Sequence, residues 1–316
     1  MAKANVSRDK TQNPFHVEQL YSSPNITAGI HGQLTFISVL NSFLSITAFL
    51  GNALILVALR KESSLHPPSK LLLRNLATTD LCVGLIVEPL AFTLFVTVEN
   101  EHWNICRYIY EVVSAIGFSF CSVSLWTLTA ISLDRVLALL LGLRYRQVVT
   151  LKRVYLIIIT IWIMSIVSAL ATYLFWNSPT WWWFGTIAAS LGVAISTFSH
   201  TKIFLTLRRH QHQVQDHVQQ PNQANQLNIG RYRKAVSTAL WLQFTLLGCY
   251  LPYVIVTILQ AQTQLSSSVS ALAIGYSLTL VFLNSSLNPI LYCWKIEEVR
   301  QAIKDAIKQV LCCWSR

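Results

Sequence analysis

Seven stretches of this chain are long and apolar enough to cross about 30 Å of hydrocarbon at roughly 1.5 Å of rise per helical residue. They run approximately Leu34–Leu59, Lys70–Val96, Cys106–Leu140, Val154–Trp176, Trp182–Leu207, Lys234–Gln260 and Ser268–Trp294. Lipid offers no hydrogen bonds, so stretches of this kind close their backbone groups internally as helices. Of the 316 residues, 53% are hydrophobic and only 12% charged, far from the balance of a soluble chain. The expected fold is all-α membrane: a seven-transmembrane helix bundle plus a short amphipathic cytoplasmic helix. Residues 1–33 then form a tail, 34–294 the bundle, and 295–316 the amphipathic helix and a second tail.

The net charge of +11 is informative through its placement. Lys and Arg gather in Arg60–Arg74, Arg135–Arg153, Lys202–Lys234 and Lys295–Arg316, while the opposite connections carry little beyond Arg107 against Glu99 and Glu101. By the positive-inside rule the basic loops are cytoplasmic and the N-terminus is outside. Orientation explains the basicity more simply than nucleic-acid binding, and no nucleic-acid partner is expected. Two glycosylation sequons, at Asn5 and Asn25, fall in the tail expected outside. Met1–Gly32 is polar and lacks the apolar run of a signal peptide, so the first helix is expected to direct insertion.

Polar residues inside these spans mark where function is expected. No charge occurs from Ala235 to Trp294, yet this stretch ends in Asn284-Ser285-Ser286-Leu287-Asn288-Pro289-Ile290-Leu291-Tyr292. A proline and two asparagines are costly in lipid unless neighbouring helices satisfy the freed groups, which implies a packed bundle with a polar site inside it. Asp80 and Glu88 are ionisable residues within the second span, about eight residues apart. Cys82, Cys121, Cys249 and Cys293 lie in apolar helices as small packing residues, and Cys106 lies near the outer surface. Two connections, Asn177–Trp181 and Ala261–Ser267, are tight, whereas Arg208–Gly230, rich in Gln, His and Asn, reads as a flexible cytoplasmic loop. Beyond Trp294, Ile296, Val299, Ile303, Ile307 and Val310 recur at helical spacing and predict an amphipathic helix on the membrane face. Cys312 and Cys313 just past it are candidate palmitoylation sites. No nucleophile–base arrangement or metal-spaced ligand set is present in the sequence, and enzyme activity is not expected.

The chain resembles the rhodopsin-like (class A) G-protein-coupled receptors from Leu34 to Cys313. The motifs that carry the likeness occur in order: Gly51-Asn52, Leu76-Ala77-Thr78-Thr79-Asp80, Ser124-Leu125, Asp134-Arg135-Val136, Trp162, Cys249-Tyr250-Leu251-Pro252 and Asn288-Pro289-Ile290-Leu291-Tyr292. Val136 replaces the Tyr of the family's DRY triplet, and Tyr250 the Trp of CWxP. The resemblance implies a plasma-membrane receptor that passes an extracellular ligand signal to a heterotrimeric G protein, and possible arrestin binding. It implies a switch formed by Asp134, Arg135, Leu143, Tyr250, Pro252, Asn288, Pro289 and Tyr292, with Leu143 inserting into the G protein and Arg135 pairing with Asp134 at rest. It further implies a sodium ion held by Asp80, Ser124, Asn284 and Asn288, with no covalent cofactor. His200 stands where the family has a tyrosine, and the inner end of the sixth helix, Arg231-Tyr232-Arg233-Lys234, offers no acid to lock Arg135. High basal activity is therefore expected.

Other departures bear on the ligand. Tyr110 occupies the place of the family's outer third-helix cysteine, and no cysteine lies between Cys121 and Cys249, so the usual bridge to the second outside loop cannot form. Gly192 stands near the fifth-helix proline position; the absence of both features resembles the melanocortin-like branch, near the adenosine and cannabinoid receptors. A retinal-binding lysine is absent between Lys234 and Lys295, and Gly117 stands where amine receptors place an aspartate. Ligand candidates are Glu88, Glu111, Gly117, Phe118, Tyr250 and Tyr253, with Glu88 suited to a basic peptide or cation. Trp181-Trp182-Trp183-Phe184 reads as a membrane-interface belt in contact with lipid. The alternatives are a non-coupling seven-helix receptor or chaperone-like partner, suggested by Val136, His200 and Tyr250, and, with less support, a transporter.

Overall fold

The computed structural model describes residues 29–61, 66–174, 179–217, 223–262, 267–295, 300, 301, 303 and 304. Seven long helices account for nearly all of them: α1 (His31–Lys61), α2 (Pro67–Glu99), α3 (Trp103–Leu141), α4 (Leu151–Leu174), α5 (Pro179–His217), α6 (Gln223–Gln262) and α7 (Ser267–Lys295). Among the described residues there is no strand. A 3-10 turn, Gly142–Arg144, and one helical turn, Tyr145–Val148, connect α3 to α4. Consecutive helices pack side by side and α7 returns to α1, closing a ring; α3 touches α2, α4 and α5 and forms its centre.

The distribution of side chains is that of a chain solvated by lipid. Phe43 is 64% exposed and Leu156 65%, whereas Asn41, Asn52, Thr79, Asp80, Glu88 and Asn288 are almost wholly buried. With apolar residues outside and polar ones inside, helix association rests on close packing and interhelical hydrogen bonds. Six helices among the described residues are long and apolar enough to cross a membrane. The span expected at Trp182–Leu207 is also helical, but α5 does not meet that threshold over the residues described. It packs between α3 and α6 and buries Ser196, Ser199 and His200.

One expectation is corrected. Arg208–Gly230 is not an open loop: α5 continues to His217 and α6 begins at Gln223. Once a helix is nucleated in the bundle, each further residue adds a hydrogen bond at little cost, and the Gln- and His-rich segment holds no breaker before Pro221. The side chains of His210, His212 and His217 lie outside the described residues, as do Asn5, Asn25, Cys312, Cys313 and most of the expected amphipathic helix. Of that helix, Arg300, Gln301, Ile303 and Lys304 are helical, and Ile303 is buried with the apolar cluster at that end of the bundle.

Proline sets the internal geometry of α2. Pro89 has no N–H, and its ring crowds the carbonyl four residues back. The helix widens into a π turn at Val83–Val87, where the Glu88 N–H donates to the Val83 carbonyl, five residues earlier. The Gly84 carbonyl thereby loses its α-helical donor, and Ser45 of α1 replaces it at 2.6 Å. That approach is possible because residue 84 is glycine: a Cβ there would meet the Phe49 backbone nitrogen at 2.7 Å and the Ala48 Cβ at 2.8 Å. Gly84→Ala is therefore expected to force α1 and α2 apart and to cost about 1–3 kcal/mol. Gly248→Ala, which adds a methyl where nothing lies within 4 Å, is the control. Thermal unfolding midpoints of the two purified variants check this.

Candidate functional site

The site is built around the Asp80 carboxylate, wholly buried where α2, α3 and α7 meet. Ser124 of α3 donates to Oδ1 at 2.8 Å, Ser285 of α7 donates to Oδ1 at 2.9 Å, and Asn288 donates to Oδ2 at 2.7 Å. Three of the four residues expected to share an ion, Asp80, Ser124 and Asn288, are thus in direct contact. The fourth, Asn284, is buried with its amide nitrogen unpartnered among the described residues, and Ser285 adds a contact to Asp80 that was not foreseen. Asn284 and Asn288 do share a face at i,i+4, yet Ser285, about 100° round the helix, faces α2 as well. The polar run Asn284-Ser285-Ser286 held that signal.

Two motifs of α1 support this arrangement through Pro289. The proline leaves the Ser285 carbonyl without its helical donor, and Asn52 donates to that carbonyl at 3.0 Å while also donating to Ala48 O at 2.8 Å. Residue 51 is glycine because the proline ring packs on it: a Cβ there would fall 2.9 Å from Pro289 Cγ. Ser286 donates to the Leu44 carbonyl and Asn41 to Thr279 Oγ1, both at 3.0 Å, extending the α1–α7 contact along its length. On the other flank, Trp162 of α4 donates to Asn75, which donates to Thr127 of α3.

The oxygen-rich donor set suits a hard monovalent cation. Asp80 supplies the charge. Ser124 and Ser285 supply hydroxyl oxygens that keep free lone pairs after donating, and Asn288 lies against the same carboxylate. These residues fit the ion that the family resemblance implies.

The Asp134–Arg135 pair is looser than expected. Arg135 Nε lies 3.9 Å from Asp134 Oδ2, and Arg135 is 46% exposed. Asp134, 4% exposed, is held by Ser69, which donates to Oδ2 at 2.8 Å, and by Tyr145, which donates to Oδ1 at 2.6 Å. Burial, and next the hydrogen bond to Asp134, hold the Tyr145 phenol above its ordinary pKa, so it remains a donor. The His66 ring backs Tyr145 at a centroid distance of 5.1 Å. Neither Ser69 nor Tyr145 was foreseen as part of this site; their only sequence signal is their nearness to the ends of α2 and α3. The Leu143 side chain lies outside the described residues.

The remaining switch residues fall between these two centres. Tyr250 is buried and donates to the Cys121 carbonyl at 3.4 Å, and Pro252 lies within α6. Tyr292 is buried with its hydroxyl unpartnered among the described residues. His200 turns Nδ1 to the Ser196 carbonyl of its own helix, 2.8 Å away. Gly192 admits α3 closely: Thr129 donates to its carbonyl at 3.3 Å, and a Cβ there would lie 3.3 Å from Leu125. Among the ligand candidates, Gly117 faces Val87, Phe118 faces Gly185 of α5, Glu111 and Tyr253 are half-buried, and Glu88 is fully buried. Cys106, in the first turn of α3, is buried with Thr97 as its hydrogen-bonding neighbour. Trp183 and Phe184 are exposed, in keeping with an interface belt.

Comparison with known proteins bears on these centres. Residues 51–181 and 177–292 match the family model described as 7 transmembrane receptor (rhodopsin family). An alpha-2B adrenergic receptor of Mus musculus is 33% identical over 160 residues, 50% of this chain and 32% of the relative. A 5-hydroxytryptamine receptor 1E of Homo sapiens is 32% identical over 127 residues, 40% of this chain and 34% of the relative. The aligned stretches span about a third of the length of these curated relatives.

Ser285→Ala is expected to cost about 1–3 kcal/mol, since it removes a buried donor to a charged group, and Ser124→Ala a similar amount. Asn284→Ala, which removes an unpartnered amide, is expected to cost less. Unfolding midpoints of the three variants test this order, and an equal loss for Asn284→Ala would show that its side chain is partnered as well.

Proposed function

The chain belongs to the rhodopsin family of seven-transmembrane receptors, and on that premise we propose that it carries a signal from an extracellular ligand to a heterotrimeric G protein. The observation that carries this reading is the Arg135 end of the bundle. Asp134 is occupied by Ser69 and Tyr145, so its neighbour Arg135 is half-exposed at the helix end with only a distant ion pair. A guanidinium presented there suits the tail of a cytoplasmic partner, a G protein first and arrestin second. In this reading the basic loops face the cytoplasm, the N-terminal tail is extracellular, and the protein resides in the plasma membrane. Asn5 and Asn25 would then be glycosylated and Cys312 and Cys313 palmitoylated.

Signalling requires two arrangements of the bundle with different affinity for the ligand. Asp80 stands between the two ends, and a sodium ion on Asp80, Ser124, Ser285, Asn284 and Asn288 would favour the resting one. The names of the relatives, adrenergic and 5-hydroxytryptamine receptors, describe those proteins; for this chain an extracellular ligand near Glu88, Gly117 and Phe118 is proposed.

The test is G-protein activation in cells at matched surface expression. The intact chain is expected to give basal output above empty vector, and Arg135→Ala to abolish it. Replacing sodium in the medium by a large organic cation is expected to raise the output of the intact chain and to leave Asp80→Asn unchanged. Silence across all G-protein classes from a chain confirmed at the surface would favour a non-coupling receptor instead.

A further inference from the structure

Among the described residues, Glu88 is the one buried side chain with two unpartnered polar atoms. It is 0% exposed, and neither carboxyl oxygen has a hydrogen-bond partner among the described residues. It belongs to the stretch of α2 in which Val83, Val87 and Ala91 share a buried apolar cluster with Val113 of α3 and Phe282 of α7. Protonation alone does not resolve this. A neutral carboxyl still carries one donor and one carbonyl acceptor, and both are costly to bury without partners.

The backbone places it there. On a regular α-helix, eight residues from Asp80 would carry Glu88 about 80° off the Asp80 face. The π turn at Val83–Val87 takes up one extra residue and turns the following face back by roughly 100°, which returns Glu88 to within about 20° of Asp80. Glu88 accordingly lies on the face of α2 that carries Asp80. On α3, Gly117 contributes no side chain, and a Cβ there would meet Val87, the residue before Glu88. A helix distortion that turns a carboxyl inward and leaves it unpaired stores a cost that an incoming partner can relieve.

We propose that Glu88 is the anchor for a ligand ammonium group, carried on a compact apolar body, that enters the bundle between α2, α3 and α7. An alkylammonium brings two or three N–H donors and the opposite charge, so one group satisfies both oxygens; a hydroxyl brings a single donor and no charge. The apolar cluster around the carboxyl suits an organic amine better than a strongly hydrated metal ion. The proposal rests on the receptor reading, but its test involves no G protein, so a failure of coupling leaves the outcome unaffected.

The intact chain is purified in detergent, and its unfolding midpoint is titrated with phenethylamine, tryptamine and cyclohexylethylamine, each beside its neutral alcohol. The amines are expected to raise the midpoint and to bind about tenfold more tightly than the alcohols, the scale of one charge-assisted hydrogen bond. Glu88→Gln is expected to abolish the preference while raising the midpoint of the unliganded protein or leaving it unchanged. Glu88→Asp, which keeps the charge on a shorter arm, is expected to retain the preference with weaker binding, and it controls for misfolding of the first variant. Equal binding of amine and alcohol, no binding of either, or an amine preference that survives in Glu88→Gln would each overturn the proposal.

Discussion

A carbonyl released inside a bundle of this kind finds no donor in the surrounding lipid, and at two places here the protein supplies one. Pro289 releases the Ser285 carbonyl, and Asn52 answers it from α1. The π turn before Pro89 releases the Gly84 carbonyl, and Ser45 answers that. Each repair draws α1 against a partner helix so closely that only glycine fits, at Gly51 beneath the Pro289 ring and at Gly84 against the α1 backbone. With α1, α2 and α7 tied in this way, Ser285 and Asn288 project onto Asp80, and the polar centre follows from the backbone repairs.

The same constraint sorts the carboxylates of the bundle. Asp80 accepts three hydrogen bonds, and Asp134 accepts two and has Arg135 nearby. Glu88, on the same face as Asp80, accepts none among the described residues. A buried carboxyl with its donors in place holds neighbouring helices in register, and one without them is a site waiting for a partner. Near one end of α3 the bundle thus presents a half-exposed guanidinium, at its middle a satisfied carboxylate, and eight residues further along α2 an unsatisfied carboxyl.

Much of this was legible in the chain. Apolar length located all seven helices, and ordered motifs identified the family that the comparison later matched. Asp80, Ser124 and Asn288 were foreseen together and meet. Ser285 was not foreseen beside Asp80, because helical periodicity says which residues share a face but not how far the helix is rotated toward its neighbour. Ser69 and Tyr145 went unseen as partners of Asp134: they come from different elements, and a serine and a tyrosine at helix ends carry no pattern of their own. The helical parts of the Gln- and His-rich segment were missed because polar composition resembles a loop, whereas cooperativity carried α5 on to His217 and let α6 begin at Gln223.

The sequence by itself determined the class of solvent, the number of spans and the identity of the polar residues inside them. Those follow from hydropathy, charge and a handful of costly residues, each judged against lipid one segment at a time. Only the tertiary structure decided which donor serves which acceptor. Helix rotation, the extra residue of the π turn and the contacts allowed by Gly51 and Gly84 depend on several helices at once. That is why Glu88 could be singled out in the chain as an intramembrane acid, while its burial without a partner emerged only once the helices were packed.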